Sequence, residues 1–148
     1  MSSTTSILVL FSLGVFLLHM LVNSRYGFHR DELLTINNAR SLAWGYVIYP
    51  PLTAFVGGVE LDLFGTSLRG FRFFVALAEG FVVPFAGLAA RELGGKREAQ
   101  FAAALAVAIH SPSLFAGSCM SYSSFDYLWW VPVAYFVICW LKSEDPRW

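Results

Sequence analysis

The sequence predicts an all-α fold: a polytopic membrane helical bundle of about four transmembrane helices, with amphipathic interfacial helices in a first external loop. Three observations carry that expectation. Apolar residues make up 57% of the 148 residues and charged ones only 14%, against about 25% charged in a soluble domain. The charges are also segregated, since residues 1–24, 99–125 and 127–141 contain none. No stretch alternates as a strand would, and in lipid a helix satisfies its own backbone. Ten basic and ten acidic residues cancel, so no bulk charge points to nucleic acid as a partner.

The first span is SILVLFSLGVFLLHMLV, residues 6–22, close to the ~20 apolar residues a crossing needs. It lacks the basic n-region and small-residue cleavage site of a signal peptide, so it is expected to stay. A second span covers 71–93, interrupted by Pro84 and ended by Gly94-Gly95. A third covers 99–113. A fourth covers 122–141 and stops before Lys142, with Tyr122, Tyr127, Trp129 and Trp130 crowding its start as an interfacial aromatic belt does. The segment 23–68 becomes the first external loop. Residues 41–59 are also uncharged, but Pro50-Pro51 lies inside them, which suits a re-entrant or interfacial helix beginning near Pro50. The charges pull the other way. Four spans divide the basic residues five inside and five outside, whereas five spans put eight inside and two outside, as the positive-inside rule prefers.

Within the loop, His29-Arg30-Asp31-Glu32 opens a helical stretch. Leu33, Ile36, Ala39 and Ala43 recur on one face, with Asp31, Thr35 and Asn38 opposite, the pattern of a helix lying at an interface. Asp31 and Glu32 can simply complement the helix dipole. Asp126, in SSFDYLWW, can likewise be a capping acid. In the four-span arrangement, however, Asp31 and Asp126 share one side, where one carboxylate can take a proton and the other can hold a metal or orient an acceptor. Glu79 falls near the centre of the second span. An ionised acid there costs about 2.5–3.5 kcal/mol on insertion scales, so it is expected to be protonated or paired inside the bundle. A transporter would place its function on that residue. His19 and His110 read as structural, and the three histidines show no metal-ligand spacing. Cys119 and Cys139 read as free thiols.

Five segments, in order, carry a resemblance to a known family: the apolar first span, HRDELLTINNARSLAWGYVIYPPL, LFGTSLRGFRF, AARELGG and SYSSFDYLWW. The chain resembles the N-terminal part of the GT-C superfamily of polytopic glycosyltransferases, in the bacterial and archaeal branch related to protein O-mannosyltransferases and lipid A aminoarabinose transferase. The resemblance implies an acid of the first external loop as catalytic base, matched by Asp31 with Glu32 beside it, and a second site acid matched by Asp126. It also implies that Pro50-Pro51 begins a short external helix, which favours four spans. Ile48 and Tyr49 depart from the polar residues that several relatives carry before Pro-Pro.

The implied reaction moves a sugar from a polyprenyl-phosphate donor to a hydroxyl acceptor with inversion, on the non-cytoplasmic side of the plasma (inner) membrane. Arg30, and less directly Arg69 and Arg72, are the candidates for the lipid phosphate, and a divalent metal is a further candidate. The family chain is much longer and continues past SEDPRW. The expectation is therefore a transferase fragment that does not turn over by itself. The rival is a non-catalytic multi-span protein, either an assembly partner or a lipid-binding remnant.

Overall fold

The computed structural model describes residues 3–47 and 49–143. The departure at Ile48 and the closing residues 144–148 lie outside the described residues. Among these the chain is all-helical: α1 (Ser3–Val22), α2 (Arg30–Ala39), α3 (Leu52–Phe64), a 3₁₀ turn (Gly70–Arg72), α4 (Phe73–Glu92), α5 (Arg97–Ile109), α6 (Ser111–Ala116) and α7 (Tyr122–Ser143). Three helical segments are long and apolar enough to cross a membrane: Thr4–Val22, Gly70–Glu92 and Tyr122–Ser143.

The apolar pattern of α1 is two-sided. Leu10, Leu13, Leu17 and Leu21 point outward, while Leu8, Val15, His19 and Asn23 are buried. Both sets recur at helical spacing. The outward stripe is aliphatic and the inward one includes polar groups, the reverse of a soluble helix and the distribution that lipid on one side and protein on the other would select. Inside, Leu8, Val15, Val83, Ala104 and Ala108 form one core among α1, α4 and α5. Small residues allow the close approach: a Cβ on Gly87 would stand 2.8 Å from Leu8. The α4 helix continues through Pro84 without a break, so the expected interruption there is absent. It ends at Gly94, whose φ of 89° suits glycine. The Gly95 N–H then donates to Ala90 O at 2.8 Å, which closes a Schellman turn.

The expected span 99–113 is two shorter helices. The backbone turns extended at His110 (ψ 131°) and Pro112 sits in the first turn of α6, so a 13-residue α5 is followed by a 6-residue α6. A helix does begin at Pro50-Pro51, with α3 starting immediately after Pro51. Between Asn23 and Arg72 the chain leaves one end of the bundle and returns to it, because Arg72 Nη1 donates to Asn23 O at 2.6 Å. At the opposite end Lys142 Nζ lies 3.3 Å from Glu92 Oε2, so α4 and α7 run parallel.

Of the residues expected on one apolar face of α2, Ile36 and Ala39 are buried, and Thr35, expected opposite them, is buried as well. Glu32, Thr35, Ile36 and Ala39 are its buried residues, whereas Leu33 is 55% exposed and Ala43 lies beyond the helix end. Glu32, rather than the leucines, sets which side faces the protein. Ile36 then joins Phe71, Val75 and Met120 in a second core beneath the loop.

Candidate functional site

His29 and Glu32 position the start of α2. The two form a capping box in which the His29 N–H donates to Glu32 Oε2 at 2.7 Å and the Asp31 N–H donates to His29 Nδ1 at 3.4 Å. Two neighbouring acids thereby receive opposite environments.

Asp31 keeps 49% of its side chain in solvent, with His29 Nδ1 at 3.7 Å and Arg30 Nε at 3.5 Å. Glu32 is fully buried and fully bonded. Its Oε1 accepts from Arg72 Nε at 2.7 Å and Met120 N at 3.0 Å, and its Oε2 accepts from Arg72 Nη2 at 2.5 Å and His29 N. Four donors fill the lone-pair sites of a carboxylate. Arg72 is spent in the same way: besides Glu32, Nη1 bonds Asn23 O and Nη2 bonds Gly27 O at 2.9 Å. The Tyr26 ring lies 4.6 Å from its guanidinium carbon, a cation–π contact. With no exposed surface on either side chain, Glu32 and Arg72 offer nothing to a solute; they lock the first loop to the segment before α7. Among the arginines expected at the phosphate, Arg30 and Arg69 are exposed.

The open face of α2 continues from Asp31 through Leu34 and Asn38, three and seven residues on. Leu34 and Asn38 line a cleft of ≈ 610 Å³ with Gly45, Tyr46, Val47 and Tyr49. Asn38 Nδ2 donates to Tyr49 Oη at 2.7 Å, and Tyr46 Oη donates to Asn38 O at 3.0 Å. The Tyr49 ring stacks on Tyr122 at 5.9 Å. Asp126 is exposed one turn beyond Tyr122 on α7. The Tyr49–Tyr122 stack therefore joins the helix carrying Asp31 to the helix carrying Asp126. Sequence reasoning missed Tyr46, Tyr49 and Asn38 as cleft residues. Their aromatic spacing between two turns was visible, but their pairing with Asn38 requires the loop to fold back.

A separate, wholly apolar groove runs between α3, α4 and α7. Val56, Phe74, Leu77, Phe81, Phe125 and Leu128 line its ≈ 380 Å³. Glu60 is buried on α3, and its Oε1 accepts the Phe74 N–H at 2.8 Å, which caps the start of α4. Burial is the main cause that pushes the Glu60 carboxyl up to about 8. Burial likewise pushes the Cys119 thiol up to about 12, and both cysteines are free and buried.

Among the described residues no three His, Cys, Asp or Glu side chains cluster as metal ligands. Comparison with protein-family models, curated proteins and solved structures gave no match.

Proposed function

We propose that the chain is the N-terminal membrane region of a GT-C-type glycosyltransferase, embedded in the plasma (inner) membrane. It would transfer a sugar from a polyprenyl-phosphate donor to a hydroxyl acceptor with inversion, on the non-cytoplasmic side. One observation carries the reading: Glu32 bonds both Arg72 and Met120, so the loop bearing Asp31 and the segment leading to Asp126 meet at one end of the bundle. The return of the chain from Asn23 to Arg72 supports an even number of crossings between them. Together α5 and α6 supply the fourth crossing, a kinked one.

In this reading Asp31 takes the proton of the acceptor hydroxyl as that oxygen attacks the anomeric carbon. A positioned base contributes roughly 10²–10⁴ in rate. The bond to the lipid phosphate breaks as the new glycosidic bond forms, and Arg30, 92% exposed, offers charge to the departing phosphate. Arg69 is its alternate. Glu32 and Arg72 hold Asp31 in place from behind. Tyr46 and Tyr49 offer ring faces to a sugar, and the apolar groove beside Phe125 accepts prenyl carbons. A divalent cation, if the reaction uses one, would take one or two carboxylates together with donor phosphate oxygens.

Two measurements test the proposal. Arg30→Cys should react with an impermeant maleimide applied outside sealed cells, over a low background because Cys119 and Cys139 are buried; labelling only from the cytosolic side would sink it. In membranes carrying the complete reading frame, transfer from a radiolabelled polyprenyl-phosphate sugar should be lost in Asp31→Asn with insertion unchanged. Absence of transfer by the wild type would favour the non-catalytic membrane protein.

A further inference from the structure

The end of α2 and the α3 helix enclose a second cleft, of ≈ 670 Å³. The two helices approach closely because α3 carries glycine where they meet. A Cβ on Gly57 would stand 3.5 Å from Ala39 Cβ, and one on Gly58 would stand 3.7 Å from Ala39 O and 3.8 Å from Leu42. Leu42, Phe55 and Val59 give the cleft apolar walls, and Arg40, Asp62 and Thr66 give it polar groups.

The two charges are unspent. Arg40 and Asp62 are both exposed, and the ion pairs among the described residues join other groups. They line one cleft without pairing with each other. Arg40, at the C-cap of α2, suits the partial negative charge of a helix C-terminus, but Asp62 does not. It lies two residues before the end of α3, where that charge disfavours an acid, and no cation of the protein compensates it.

The surroundings of the cleft are those of a lipid–water boundary. Trp44, 91% exposed, holds its ring 5.8 Å from the Phe55 ring in the cleft wall. Leu42 and Leu63, on either side of the charged pair, are exposed as well. Tryptophan and leucine displayed beside charged groups are what an interface selects. An occupant that satisfies the whole cleft carries an anion, a cation and an apolar body. A phospholipid headgroup with a phosphate and a primary ammonium has all three. Its phosphate oxygens accept from the Arg40 guanidinium, its ammonium donates to the Asp62 carboxylate, and its glycerol and first methylenes lie against Leu42, Phe55 and Val59. A purely anionic headgroup would set its charge against Asp62.

We propose that this cleft binds a zwitterionic phospholipid of the ethanolamine type, held by Arg40 at the phosphate and by Asp62 at the ammonium. The site rests on the chain lying in a membrane and not on the transferase reading, since it uses none of the residues around Asp31.

Native mass spectrometry of the full chain, released from nanodiscs of equal parts phosphatidylethanolamine and phosphatidylglycerol, tests it. The wild type should retain the ethanolamine lipid over the glycerol lipid by about threefold or more. Asp62→Asn removes the partner of the ammonium and should bring that ratio to about one, and Arg40→Gln should lower retention of both lipids about threefold. Absence of a preference, a preference for phosphatidylglycerol, a preference that survives Asp62→Asn, or retention unchanged in Arg40→Gln would overturn the proposal. Gly58→Leu gives a steric check that touches neither charge: by filling the cleft it should cut retention of the ethanolamine lipid about threefold, and unaltered retention by a folded variant would also overturn it. Glycerophosphoethanolamine, which has the same charges and no acyl chains, should not displace the lipid at millimolar concentration; displacement would assign the cleft to a soluble solute instead. Failure of the chain to enter nanodiscs would remove the membrane reading together with this site.

Discussion

Two buried acids at different depths of one bundle have opposite surroundings. Glu32, at the loop-bearing end, accepts four hydrogen bonds, two of them from a guanidinium whose nitrogens are all engaged. Glu79, two turns deeper than Arg72, accepts none with normal geometry, although Ser113 stands close by. The first arrangement makes a rigid joint between two loops that are 88 residues apart in sequence at the Glu32–Met120 bond. The second leaves polarity unspent. A buried ion pair is costly to break because either partner alone is an uncompensated charge. Burial alone therefore does not assign a role to an acid: the number of donors aimed at it does.

The sharpest way to break this contrast is Arg72→Ala. It strands Glu32 and should cost about 3–5 kcal/mol, read as a collapse of the thermal midpoint in detergent, while Glu79→Gln leaves the midpoint nearly unchanged. Equal effects of the two would remove the distinction. Next in size is Gly117→Ala. The new methyl would meet His19 Nε2 at 2.6 Å, and overpacking of this kind costs about 1–3 kcal/mol; a neutral result would mean that the His19 ring gives way freely.

A third prediction concerns pH. Glu60 has its folded-state value raised to about 8 from 4.5, so the folded chain binds the proton more tightly than the unfolded one. Its contribution to stability is full below about pH 4.5, declines as pH rises from there, and is lost by about pH 8. Glu60→Gln should flatten that part of the profile of thermal midpoint against pH, and an unchanged slope would exclude Glu60 as its source. The smallest effect belongs to Asp31→Asn. Half-exposed and outside the bridge, it should move stability by no more than about 0.5 kcal/mol, so any loss of transfer in that variant is chemical rather than structural.

Much of the scaffold was legible in the residues. Long uncharged runs located α1 and most of α7, a mainly apolar stretch located α4, and the Pro50-Pro51 pair marked the start of α3. The 99–113 run read as one span because apolar composition says nothing of a backbone turn at His110. Asp31 and Glu32 looked alike, since adjacent acids on a first turn share composition and spacing. Leu33, Ile36 and Ala39 read as one apolar face, and that pattern does not say which of them meets protein, because both lipid and protein accept a leucine.

What the sequence determined by itself was the class of environment: helices apolar enough for lipid, with their few charges at the helix ends and in the loops apart from a single deep acid. Only the tertiary structure decided which acid is tied and which is open. That choice depends on Arg72, Met120 and Gly117 arriving beside them from distant parts of the chain, and hydrogen bonding over such separations leaves no periodic trace.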